Sequence, residues 1–180
     1  FPLLSLVGVV DADLGLAQGD PRAAEKTFQL VQQVTGRAGR AEAGARACLQ
    51  TRAPDHPVMR ASVAGDREGF YESEIEERRR SGLPPFGRLV GIVVSAEVRD
   101  AAFAHARALA LAAPQQDEVA VLGPAEAPIA VVRGRHRFRL LVRTSRTTDV
   151  QAYLGWWLSL APSATGGVRV QIDVDPQSFL

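Results

Sequence analysis

The chain has 180 residues, room for one large domain or two small ones. Hydrophobic residues make up 46% and charged residues 23%, a balance that supports a packed core. The net charge of +1 excludes a uniformly basic nucleic-acid coat, so any contact with a polyanion must come from local clustering. Residues Leu3 to Val10 form an apolar run that predicts a buried strand of a parallel sheet, with Asp11 and Asp13 at its polar end. The run begins almost at Phe1, which reads as a piece of a longer fold. Asp20 and Pro21 suit the N-cap and first turn of a helix whose apolar positions are Ala24, Phe28, Val31 and Val34. That helix is predicted to end at Gly36, and a second strand to cover Ala47 to Thr51. The unit is strand, helix, strand, as in an α/β sheet.

Pro54 and Pro57 then break the chain around His56, a turn residue by position. Two helices are predicted, Val58 to Ala64 and Arg67 to Arg80, with Phe70, Tyr71 and Ile75 available to a core. The second places its acids early and Arg78, Arg79 and Arg80 late, matching the helix dipole. Gly82 to Phe86, with its two prolines, marks a boundary. Beyond it come a strand over Leu89 to Ser95, an alanine-rich helix over Asp100 to Ala113, and a short strand or connector over Val119 to Leu122. Strands at Ile129 to Val132 and Arg135 to Arg143 flank Gly134. A helix over Thr148 to Leu160, capped by Thr147 or Thr148, carries Tyr153, Trp156 and Trp157. Val168 to Val174 alternates strictly and reads as a half-buried antiparallel strand. The expected architecture is the α/β end of one domain over residues 1–53, a helical connector over 54–86, and a compact α+β domain over 87–180 with its helices on one sheet face.

Some chemistry is excluded. Lys26 is the only lysine, and no glycine loop precedes it, so the chain has no phosphate-cradling P-loop. Cys48 is the only cysteine, and His56, His105 and His136 are scattered, so neither a disulfide framework nor a metal site is expected. There is neither an apolar run long enough to span a membrane nor a signal-peptide pattern, and the expected setting is cytoplasmic.

Two features carry chemistry. The first is the octet Gln33-Val-Thr-Gly36-Arg37-Ala-Gly39-Arg40. Nucleoside triphosphate hydrolysis builds charge on the γ-phosphoryl oxygens, and an arginine aimed there stabilises the transition state. Guanidinium is permanently charged and binds phosphate bidentately, and the glycines keep bulk away from it. The second is the run from Arg133 to Arg143. On a strand, Arg135, Arg137, Arg139 and Arg143 share one face, while Phe138, Leu140 and Val142 share the other. No acid interrupts the run, and such a stripe, with Arg133 before it, suits phosphate contacts. Trp156 and Trp157 are adjacent on a helix, so at least one belongs to the core.

The octet resembles motif VI of superfamily 2 helicases, Gln-x-x-Gly-Arg-x-Gly-Arg. With Val7 to Asp13, Arg22 to Glu25, Gln50-Thr51, Pro54 to Pro57, Phe70-Tyr71, Pro84 to Phe86, Leu122 to Pro124 and Asp173 to Pro176, the chain resembles the PriA family of replication-restart helicases over essentially its whole length. Pro21 departs from the family pattern, which has phenylalanine before the Arg22 position. The resemblance implies that residues 1–53 close a second RecA-like helicase lobe and that residues 87–180 are the family's C-terminal domain. It implies an ATP-dependent 3′–5′ DNA helicase that recognises stalled forks and assembles the primosome. Arg37 and Arg40 would be the catalytic arginines, with Gln33, Gly36, Gly39, Asp11 and Asp13 near the nucleotide. ATP with Mg2+ would be held by an upstream lobe, and zinc would be bound only upstream. Forked or single-stranded DNA, single-strand-binding protein and primosome proteins would be the partners. The alternatives are a DNA- or protein-binding module without a catalytic role, or another superfamily 2 DNA-remodelling helicase.

Overall fold

β-Branched and apolar residues after Ser5 favour an extended strand, and a computed structural model places strand β1 at Leu6–Val9. It describes residues 6–16, 20–38 and 46–177. Strand β1 pairs in parallel with β2, Arg46–Leu49, and helix α1, Ala23–Ala38, lies between them in sequence. The pairing is continued by Gln50, whose amide donates to Val9 and whose carbonyl accepts from Ala12. The strand-helix-strand unit is as expected, but two details differ. Strand β1 is not buried, since exposed and half-buried residues alternate and Leu6 is 61% exposed. A two-stranded sheet with α1 on it has only one covered face. Helix α1 also does not stop at Gly36 but runs to Ala38, and a Cβ at Gly36 would meet nothing within 4 Å. The helix starts at Ala23, three residues beyond the expected cap, and Asp20 holds the turn that leads into it: one carboxylate oxygen accepts from the Arg22 amide and the other pairs with Lys26 at 2.7 Å.

Helix α2, Pro57–Ala64, starts on His56, whose Nδ1 accepts from the Val58 amide. Proline at the first helical position and Gly65 in the left-handed region after the last define its ends. Helix α3, Arg67–Ser81, follows. Phe28 of α1 stacks on Phe70 of α3 with ring centroids 4.1 Å apart, and Tyr71 meets Phe28 edge-on. Val58, Met59 and Ala12 complete this small core. Ile75, available to a core by spacing, is 40% exposed instead.

The chain divides into two units, Phe1–Glu77 and Arg78–Leu180, so the division falls within α3 and Gly82 to Phe86 belong to the second unit. There β3, Gly87–Ala96, α4, Arg99–Leu111, β4, Val119–Val132, β5, Arg135–Ser145, α5, Val150–Leu160, and β6, Arg169–Val174, follow in order. The sheet order is β4-β5-β3-β6 and every neighbouring pair is antiparallel. This is the split β-α-β arrangement. Alternation puts Val90, Ile92 and Val94 of β3 with Phe138, Leu140 and Val142 of β5 in one core, closed by Ala102, Ala106 and Leu109 of α4 and Val150, Leu154 and Trp157 of α5. Both helices therefore cover one face, as the sequence predicts, and neither lies on the opposite face.

Three local expectations change. Val119 to Leu122 and Ile129 to Val132 are one strand, β4, interrupted by register shifts between Leu122 and Ala125 and between Glu126 and Val131. Gly123 to Pro128 hide the strand in the sequence because bulges break its alternation. Helix α5 is capped by Asp149, not by a threonine: its carboxylate accepts from the Ala152 amide at 3.0 Å. The hydroxyls of Thr147 and Thr148 are engaged with Ser145 Oγ at 2.9 and 3.0 Å. Trp157 is fully buried and its indole N–H donates to the Leu109 carbonyl, while Trp156 is 48% exposed.

Candidate functional site

The first candidate segment lies at the end of α1. Gln33 and Gly36 are exposed on the helix, and Arg37 follows in its last turn. Spacing of three and four residues sets positions 33, 36 and 37 on one edge. Gly39 and Arg40 lie outside the described residues, as does the side chain of Arg37. Asp11 adopts a left-handed backbone, φ 54°, right after the strand. It borders a cavity of about 490 Å³ together with Leu14, Leu30, Val31 and Val34. Among the described residues no cationic side chain lines that cavity.

Asp13 has a different engagement. One carboxylate oxygen accepts from the Thr51 hydroxyl and the other from the Arg52 amide, each at 2.6 Å. The Thr51 bond, then the Arg52 amide, holds its carboxyl below the usual aspartate range. The carboxylate thus clips the loop after β1 to the segment after β2. Sequence reading places Asp13 near a nucleotide; it cannot see this clip, because the two segments meet only once β1 and β2 pair.

The second candidate segment is the face of the four-stranded sheet opposite α4 and α5. Arg133 and Gly134, with φ of 49° and 73°, form the two-residue turn between β4 and β5. Such a turn needs left-handed backbone at both positions, which glycine supplies without strain. From it Arg135, Arg137, Arg139 and Arg143 project onto the open face, since Phe138, Leu140 and Val142 point into the core. The stripe is real, but its members differ. Arg135 is tucked in: its guanidinium donates to the carbonyls of Ser95, at 2.9 Å, and of Gly167, and sits 3.8 Å from Glu97. Arg143 donates to the Ser81 carbonyl at 2.7 Å and so closes the end of α3. Arg146 donates to the Pro85 carbonyl at 3.1 Å, and Arg79 lies 4.9 Å over the Phe86 ring. Gly87 fits this junction only as glycine, since a Cβ there would strike the carbonyl oxygens of Gly82 and Thr144. Arg137 reaches the Ile129 carbonyl at 3.4 Å.

Strand pairing brings further residues beside the stripe. Ser95 of β3 lies opposite Arg137 on one side and Arg169 of β6 on the other. An open groove of about 660 Å³ runs there, bounded by Ser95, Arg133, Arg135, Arg137, Arg169 and Gln171. Among the described residues no carboxylate lines it. Arg169 and Gln171 were missed by sequence reading, because their strand looks ordinary until it is known to lie next to β3. Among the described residues no group of three or more His, Cys, Asp or Glu could hold a metal ion, and no helix is long and apolar enough to cross a membrane.

The family profile described as Primosomal protein N C-terminal domain matches residues 79–177. The chain belongs to this family of PriA proteins. The matched span takes in β3 through β6, the sheet with the arginine face. Three relatives, each named replication restart protein PriA, extend the likeness across the chain. That of Rickettsia felis is 38% identical over 179 residues, covering 99% of this chain and 27% of the relative. That of Treponema pallidum is 41% identical over 184 residues, covering 100% and 28%. That of Bacillus subtilis is 38% identical over 182 residues, covering 100% and 23%. The chain thus spans about a quarter of the length of the PriA relatives it matches.

Proposed function

We propose that this chain is the part of an ATP-dependent 3′–5′ DNA helicase of replication restart that supplies the arginine half of the ATP site and a DNA- and partner-binding C-terminal unit. The octet Gln33 to Arg40, at the end of the helix of a β-α-β unit in a PriA-family chain, carries this reading. In it the first unit is the end of a RecA-like lobe. Gln33, Gly36 and Gly39 line the edge that meets the nucleotide, and Asp11 and Asp13 shape the adjacent loop. Arg37 and Arg40 hold positive charge where the γ-phosphoryl oxygens of ATP with Mg2+ gain negative charge. Bound ATP·Mg2+ supplies the phosphoryl group, and its P-loop and the family's zinc site are assigned to other parts of the longer protein.

The second unit is the binding module, with Arg133, Arg137 and Arg139 as its phosphate contacts and Arg135 and Arg143 bracing the same face. Its partners are forked or single-stranded DNA, single-strand-binding protein and primosome proteins, and its setting is cytoplasmic. In the full-length protein, Arg37→Ala or Arg40→Ala should lower ATP turnover on the order of 10³-fold while leaving DNA affinity nearly unchanged. Turnover unchanged in both variants would reject the arginine assignment.

A further inference from the structure

We infer that the face of the four-stranded sheet opposite α4 and α5 holds a short track for the sugar–phosphate backbone of nucleic acid, with Arg169 and Gln171 of β6 as its second wall, and that the track grips phosphates without stacking bases. This rests on the reading of the second unit as a DNA-binding module and adds residues and a contact mode to it.

The register defines the track. Arg137, Ser95 and Arg169 form one rung across β5, β3 and β6. Arg139, Val93 and Gln171 form the next, and Leu141, Gly91 and Asp173 the one after. All nine positions lie on the face opposite the core residues Val94, Val170 and Phe138. Rungs two residues apart along a strand are about 6.5–7 Å apart, and the two outer strands are separated by two strand spacings, about 9–10 Å. Ser95, Val93 and Gly91 are short, so the floor between the walls is low, and a groove of about 660 Å³ opens at the first rung. Arg169 and Gln171 are exposed, as is Arg133 at the hairpin tip beside that groove. Arg135 binds the Gly167 carbonyl and so fixes the turn that leads into β6 and Arg169.

Charge falls along the track: two arginines, then one, then Asp173. A polyanion is therefore held at the hairpin end and released before the third rung. None of the nine residues is aromatic, so these three rungs offer no base-stacking platform of the kind typical of single-strand binders. What remains is guanidinium and amide contact to phosphate, which carries no sequence information.

The test uses this chain with fluorescein-labelled duplexes of two unrelated sequences, and single strands of equal length, in anisotropy titrations over a salt series. Arg169→Ala should weaken binding to both duplexes equally and reduce the slope of log K against log salt by about 1. Asp173→Asn should strengthen binding. Near-ultraviolet circular dichroism from buried Trp157 checks that each variant is folded. If Arg139→Ala weakens binding and Arg169→Ala does not, the second wall is wrong and the DNA-binding reading survives. If neither variant changes binding, both fall. A strong preference for single strands over duplex would overturn stacking-free contact.

Discussion

The two units of this chain solve the same problem differently. The second closes one face of a four-stranded sheet with α4 and α5, and its central strands β3 and β5 each have neighbours on both edges. Among its described residues the first has two strands, one helix between them and an aromatic cluster that joins α1 to α3. The first strand of each, Leu6–Val9 and Gly87–Ala96, is rich in apolar and β-branched residues, yet Leu6 is 61% exposed and Val90 fully buried. The difference lies in what covers the strand. The arginines divide in the same way. In the second unit Arg135, Arg143 and Arg146 bond carbonyls distant in the chain and hold the fold, and the arginines proposed to act, Arg137 with its own bond to the Ile129 carbonyl among them, belong to the hairpin tip, β5, β6 and the end of α1.

The largest expected effect tests whether the helix-covered face is what stabilises the second unit. Trp157 fills the core and its indole donates to the Leu109 carbonyl at 2.9 Å. Trp157→Ala should destabilise by about 3–5 kcal/mol, through the cavity and the lost indole hydrogen bond. Trp156→Ala, one residue away but 48% exposed, should stay within about 0.5 kcal/mol. Urea denaturation of both variants makes the measurement. Similar costs would mean that α5 does not seal this core.

Much of this was legible in the sequence, and the omissions share a cause. Alternation revealed β3, β5 and β6, and dipole-matched charges revealed α3, because those signals are local. The bulged β4 escaped because its alternation is interrupted at Gly123 to Pro128. Asp149 escaped as the cap of α5 because two threonines stand beside it, and only contact with Ser145 decides which side chain is free to cap. At the candidate sites the arginine types were visible. Their division into braces and contacts was not, since it depends on Ser81, Ser95 and Gly167, far away in the chain. Arg169 joins the open face only through the β3–β6 pairing, a non-local event.

A smaller effect probes the braces. Arg143 leaves the open face to reach the Ser81 carbonyl, the last turn of α3. Arg143→Ala should cost about 1.5–3 kcal/mol, the range for a hydrogen bond involving a charged group. Amide exchange should quicken over Gly82 to Gly87, the segment this bond anchors. Arg143→Lys keeps the charge but loses the planar fork, so only part of the protection should return. Exchange unaltered in Arg143→Ala would move this residue from the braces to the phosphate contacts.

The smallest effect lies in the first unit, where polar clips matter because little apolar surface is sealed. The Thr51 hydroxyl and the Arg52 amide keep the Asp13 carboxyl below the usual aspartate range. A carboxyl depressed in the folded state contributes stability above its unfolded pKa, and that contribution is lost as pH falls through the lower folded value. The clip therefore works at neutral pH and releases only on acidification below the ordinary aspartate range. Asp13→Asn has no charge to lose and one acceptor where the clip needs two. The variant should be less stable than the parent at neutral pH, and the gap should narrow as the solution is acidified. Urea midpoints of both proteins across that range provide the comparison. Parallel pH profiles would show that Asp13 does not tie the loop after β1 to Thr51, and would return its carboxylate to the candidates for nucleotide contact.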